Sequence, residues 1–228
     1  GAKLSHKMII EREINQAKMM LDNVISQEAS RLNYPLTVNT TLEVGSIEEE
    51  IEKRLKASEK SLLLINAEKD NYHFHSQKEM IEICKSVRAY TLFVPPNISF
   101  EPFNEITLIT DFSNNYGVSA YRKLHSFLRK FKPFTQAIDV AKPRRFIEKK
   151  LKSEKWREQL EPYSLRNINT QVLKGTNRSG ALEYYINKEK PDLIIYAYQK
   201  LGFLNRLFHR PFFESLLNQA KYPVIYMA

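Results

Sequence analysis

The sequence holds 228 residues, 43% hydrophobic and 27% charged, with a formal net charge of +9 and a pI near 9.4. This is the make-up of a globular chain, long enough for one large domain or two small ones, and it excludes a disordered or fibrous class. No segment approaches the roughly 20 apolar residues of a membrane-spanning helix and no signal peptide is visible, so no membrane contact is expected and the expected location is the cytoplasm.

Glu11 to Leu32 has a helix pattern, with Ile14, Ala17, Met20 or Leu21, Val24, Ile25, Ala29 and Leu32 at helical spacing. Tyr34-Pro35 ends it, Leu36 to Val44 alternates as a strand does, and Ser46 is a good N-cap for a helix over Ile47 to Ala57 with an acidic first turn. The apolar run Ser61 to Asn66 reads as a strand, Gln77 to Val87 as a helix and Tyr90 to Val94 as a strand; Cys84, the only cysteine, falls on the apolar face of that helix and reads as structural. Pro95-Pro96-Asn97, continuing to Pro102, is an extended linker. Beyond it come five strands, at Glu105–Asp111, Thr135–Val140, Ile168–Leu173, Asp192–Ala197 and Val224–Met227. Helix patterns separate them at Gly117–Phe131, Arg144–Leu160 and Ala181–Glu189, with a short amphipathic helix before the last strand. Short apolar runs joined by helix-length connections suit parallel strands buried on both faces.

The two halves repeat. A strand-like run closes on Gly45 in one and Gly175 in the other, a helix follows each glycine, and Gly45 to Leu62 spans 17 positions against 18 from Gly175 to Leu193. Copies about 130 residues apart mean a domain duplication. The expected division is a first domain over 1–95, a linker over 96–104 and a second, complete domain over 105–228. Laying one copy over the other matches Arg144–Leu160 to Glu11–Leu32 and leaves the first without its opening strand and helix.

Several residues are candidates for chemistry. His73 and His75 lie one residue apart, but with no third ligand nearby they read as loop polarity, and no metal site is expected. Lys142, Arg144, Arg145, Lys149, Lys150, Lys152, Lys155 and Arg157 make a basic stretch relieved by Glu148 and Glu154. Its preferred reading is a solvated helix face, with nucleic-acid binding the weaker alternative, since only Phe146 and Trp156 are interleaved as stacking platforms. In open parallel sheets ligands sit at the carboxyl ends of the strands, which points to Asp111, Ser113 and the loop after Ala197. That loop carries a basic rim of Lys200, Arg206, His209 and Arg210. No nucleophile, base and oxyanion hole assemble, and no enzyme is expected.

Ile106-Thr-Leu-Ile-Thr-Asp111-Phe-Ser113, the glycine-ended strand before a helix, and the closing Asp192-Leu-Ile-Ile and Tyr222-Pro223-Val-Ile-Tyr together resemble the universal stress protein family, in its tandem form. The resemblance implies an α/β fold of two flavodoxin-like (adenine nucleotide alpha hydrolase-like) parallel-sheet domains of strand order 3-2-1-4-5. It also implies that their last strands pair, Thr91, Leu92, Phe93 and Val94 against Val224, Ile225, Tyr226 and Met227, as a pseudo-dimer with a homodimer as its extension. Asp111, Ser113, Val140, Lys200 and Arg210 become the candidate nucleotide or anion ligands. ATP-binding members carry a G-x-x-G, nine residues, then G-S or G-T after the fourth strand, so that bare backbone meets phosphate. Here those positions hold Ala197, Lys200 and Arg210-Pro211. The resulting expectation is a non-catalytic stress-response protein that works through dimerisation or a protein partner, with no cofactor and ATP disfavoured. The alternative is an adenine-nucleotide or anion sensor using Asp111 and the basic rim.

Overall fold

The computed structural model describes residues 2–31, 37–56, 62–67, 81, 83–84, 90–96, 98–99, 101–112, 131–160, 167–197, 212–217, 219 and 221–227. In order these form α1 (Ala2–Arg31), α2 (Ile47–Lys56), β1 (Leu62–Asn66), β2 (Tyr90–Val94), β3 (Glu105–Ile109), β4 (Phe134–Ala141), a 3-10 turn (Pro143–Arg145), α3 (Phe146–Glu158), β5 (Ile168–Lys174), α4 (Arg178–Glu189), β6 (Leu193–Ala197) and β7 (Val224–Met227). Residues 212–217 are also helical. The expected helix over Gly117–Phe131 and the residues Ser113, His73, His75, Lys200, Arg206, His209 and Arg210 lie outside the described residues.

The chain divides into two compact units, 1–53 and 54–228. In the first, α1 leaves Ile14, Ala17, Leu21 and Ile25 half-buried on one stripe, whereas Met20, Val24 and Ala29 of the expected stripe are exposed, and no described residue from 8 to 53 is buried. The strand expected over Leu36–Val44 does not form: residues 37–46 have no regular structure. A strand is held by a hydrogen-bonded neighbour as much as by its side-chain alternation, and among the described residues no strand pairs with this segment.

The second unit is built on one seven-stranded sheet of order β1-β2-β7-β6-β3-β4-β5. Counted within the second copy, β5-β4-β3-β6-β7 is its third, second, first, fourth and fifth strand, all parallel neighbours. Among the described residues the first copy contributes β1 and β2, its fourth and fifth, and these lie in one sheet with the strands of the second copy. They join where β2 runs antiparallel to β7, with Thr91 opposite Tyr226, Leu92 opposite Ile225 and Phe93 opposite Val224. Residues 96–104, expected to separate two domains, fall inside the second unit between two strands of this sheet.

Alternation along each strand sends side chains to two cores. On one face Leu92, Ile106, Leu108, Ala137, Ile195 and Ile225 pack with Trp156 and Leu160, and Phe112 meets Trp156 edge-on at 5.6 Å. On the other, Phe93, Tyr196 and Tyr226 pack on Phe212 and Phe213, with Phe213 4.9 Å from the Tyr226 ring. Cys84 is buried, as its helical position implies. Among the described residues no helix is long and apolar enough to cross a membrane.

Candidate functional site

The strand order reverses around β3, whose neighbours β4 and β6 belong to opposite arms of the second copy. The crevice past the carboxyl ends of these strands is where an open parallel sheet holds its ligand. Two described candidates stand there, Asp111 just beyond β3 and Val140 near the end of β4. The side chain that organises the place is neither of them but Asp139.

Asp139 sits within the apolar strand β4 and is fully buried. A carboxylate cannot stay charged there without partners, and it has three. Its Oδ1 accepts from the Val140 amide at 2.8 Å and from Arg178 Nη2 at 2.9 Å. Its Oδ2 accepts from Lys149 Nζ at 2.6 Å, and the same ammonium donates to the Asp111 carbonyl at 3.0 Å. Asp139, Lys149 and Arg178 come from β4, α3 and the start of α4, so one carboxylate ties two helices to the sheet and, through Lys149, to the end of β3. The side chains of Lys149 and Arg178 are 21% and 28% exposed, so the pair caps the acid from the solvent side.

Each contact has a sequence cause. The register of β3 on β4 ends at Ile109 opposite Ile138, and the Thr110 amide makes the last ladder bond, to the Ile138 carbonyl at 3.0 Å. Beyond that point the Val140 amide has no strand to reach, and Asp139 takes it. Arg178 occupies the first position of α4, where the helix dipole disfavours a cation; the buried carboxylate beside it explains the placement. Asn177 caps the same helix, its side chain accepting from the Gly180 amide at 3.1 Å. Gly175 serves a packing need: a Cβ there would lie 3.2 Å from Val140 Cγ1 and 3.3 Å from Ala181 Cβ.

Of the basic stretch, Lys150, Lys152, Lys155 and Arg157 are exposed on α3, Lys142, Arg144 and Arg145 are exposed ahead of it, and Lys149 turns to Asp139. Lys152 bonds Glu148 at 2.7 Å and, first by that hydrogen bond and then by its charge, holds the Glu148 carboxyl below its usual range. Lys174 lies over the Phe146 ring at 4.7 Å. Among the described residues no cluster of three or more histidine, cysteine or acidic side chains forms a metal-ligand set.

The chain has the flavodoxin-like α/β fold of the universal stress proteins. A universal stress protein from Archaeoglobus fulgidus superposes with a TM-score of 0.65 at 14% identity, over 95% of this chain and 77% of that one. Two Pseudomonas aeruginosa proteins are similar over 92% of this chain and 77% of theirs: one described as a universal stress protein (TM-score 0.60, 15% identity) and one of unknown function (0.57, 14%). No family model and no curated protein matches the sequence. The resemblance read from the strand motifs and the fold therefore agree, at an identity that speaks for architecture alone.

Proposed function

We propose that this chain is a universal stress protein-like interaction protein, non-catalytic, whose switch point does not take ATP in the manner of the nucleotide-binding members. The observation that carries the reading is the engagement of the Val140 amide by Asp139. A main-chain donor past the end of a parallel ladder is what a ligand at the switch point would use, and here a side chain of the protein uses it. The carboxylate is in turn held by Lys149 and Arg178, so both cations are engaged by a side chain of the protein. Ala197, Lys200 and Arg210-Pro211 support the same reading, standing where a phosphate loop needs glycine and free amides.

Isothermal titration with ATP and Mg²⁺ tests it. The expected result is no saturable heat up to millimolar nucleotide; a dissociation constant in the micromolar range overturns it. The anion-sensor reading has one observation in its favour, the surplus of two cations over one carboxylate around Asp139. Under it, ATP or pyrophosphate raises the melting temperature and Asp111→Ala removes the shift.

A further inference from the structure

The β2–β7 junction is a local two-fold, and it carries its symmetry outward by one strand. Leu92 faces its counterpart Ile225, while Thr91 faces Tyr226 and Phe93 faces Val224. On one side of this axis β6 lies parallel to β7, with Ile195 beside Ile225 and Tyr196 beside Tyr226. On the other, β1 lies parallel to β2 in the same register, with Leu64 beside Leu92 and Ile65 beside Phe93. Leu64 is thus the equivalent of Ile195.

There the symmetry stops. β6 has β3 on its far side, parallel, with Leu108 beside Ile195, whereas β1 is the last strand of the sheet among the described residues. The two strands are alike in composition, Leu-Leu-Leu-Ile-Asn against Leu-Ile-Ile-Tyr-Ala. Ile195 is 0% exposed, yet Leu64 is 63% exposed. The Ala67 amide bonds the Val94 carbonyl at 2.8 Å, which sets the parity of the ladder: Leu63 and Ile65 turn their backbone to β2, and Leu62 and Leu64 turn theirs outward. None of the devices that protect an edge is present in Leu62–Asn66, neither lysine, proline nor inward charge. The opposite edge, β5, is polar by contrast, Ile-Asn-Thr-Gln-Val-Leu-Lys.

We infer that the outer edge of β1 is a docking site for an extended apolar segment from outside this sequence, added as a parallel strand in the position that β3 holds beside β6, with an aliphatic residue next to Leu64. Backbone hydrogen bonds to Leu62 and Leu64 supply the attachment, and covering Leu64 supplies the apolar contact. The inference rests on the geometry of β1 alone and stands or falls independently of nucleotide binding at the switch point.

The probe is a synthetic peptide with the sequence of residues 103–112, which contains β3, added to the intact chain and followed by amide hydrogen exchange. The expected result is that exchange at Leu62 and Leu64 slows more than tenfold at saturating peptide, with the β5 amides unchanged. Leu64→Pro removes the outward amide without touching the bonds to β2 and is expected to abolish the protection. Should that variant unfold, Leu64→Lys, which keeps the backbone and places a charge on the edge, is expected to weaken peptide binding at least tenfold. Three results overturn the proposal: no slowing with peptide; equal slowing at β5; or protection of Leu62 and Leu64 without peptide, whether the chain is then a monomer with its edge already covered or a dimer of two copies paired through β1.

Discussion

Asp139 is a fully buried carboxyl group with three partners, and these define what the loss of each does. Removing Lys149 alone, as Lys149→Met, leaves the carboxylate with Arg178 and the Val140 amide; Arg178→Met leaves it with Lys149. Removing both leaves a buried acid with one hydrogen bond, and stripping the partners from a buried charge costs about 3 to 5 kcal/mol. The double variant is therefore expected to lose more stability in urea than the two single variants added together, the excess being at least about 0.5 kcal/mol. Additive losses would mean that the two cations act on Asp139 independently. This acid was open to detection in the sequence, as an aspartate within Ala137-Ile-Asp-Val-Ala141, an apolar strand that alternation alone cannot reconcile with a charge. Its partners were not, since Lys149 is ten positions and Arg178 thirty-nine positions along the chain, and only the folding of β4, α3 and α4 around one crevice brings them to it.

Helix α4 shows how local rules and tertiary demands divide a single element. Asn177 caps its start as a side-chain acceptor should, but Arg178 follows at a position that a helix alone would give to an acid. Its end is also a compromise: Lys190 caps it at φ 49° and ψ 59°, a left-handed conformation that favours glycine. Lys190→Gly is expected to raise stability by about 0.5 to 1 kcal/mol in chemical denaturation, relief of the left-handed strain outweighing the added freedom of the unfolded chain. Loss of stability would show that the Lys190 side chain contributes more than its backbone costs. Gly175 points the same way. As a sequence feature it marks the end of a strand, and in the structure it lets the chain pass within van der Waals reach of Val140 and Ala181.

The two compact units differ in kind. Residues 54–228 contain every buried side chain of the sheet and both of its cores, whereas none of the described residues between 8 and 53 is buried. Stability in such a chain is uneven, because segments with little buried apolar surface open at low cost. Limited proteolysis is therefore expected to cut within 1–53 first and to leave a fragment that starts near Arg54 with the near-ultraviolet circular dichroism of the parent. Equal cleavage rates in the two units, or loss of that signal with the first cut, would contradict the division.

The apolar runs of β1 to β7 and the helices α3 and α4 were legible in the residue order, because each depends on short-range periodicity and on the length of a crossover. The meeting of the last strands was implied by the family resemblance and not by periodicity, and β2 does lie against β7. What depended on tertiary structure was whether a segment found its neighbour. Leu36–Val44 alternates like a strand, yet no described strand pairs with it, while β1 and β2 lie in one sheet with the strands of the second copy. Hydrogen bonds between strands are made across the fold, not along the chain, and that is why periodicity could name the strands but not the single sheet or the partners of the buried acid at its crevice.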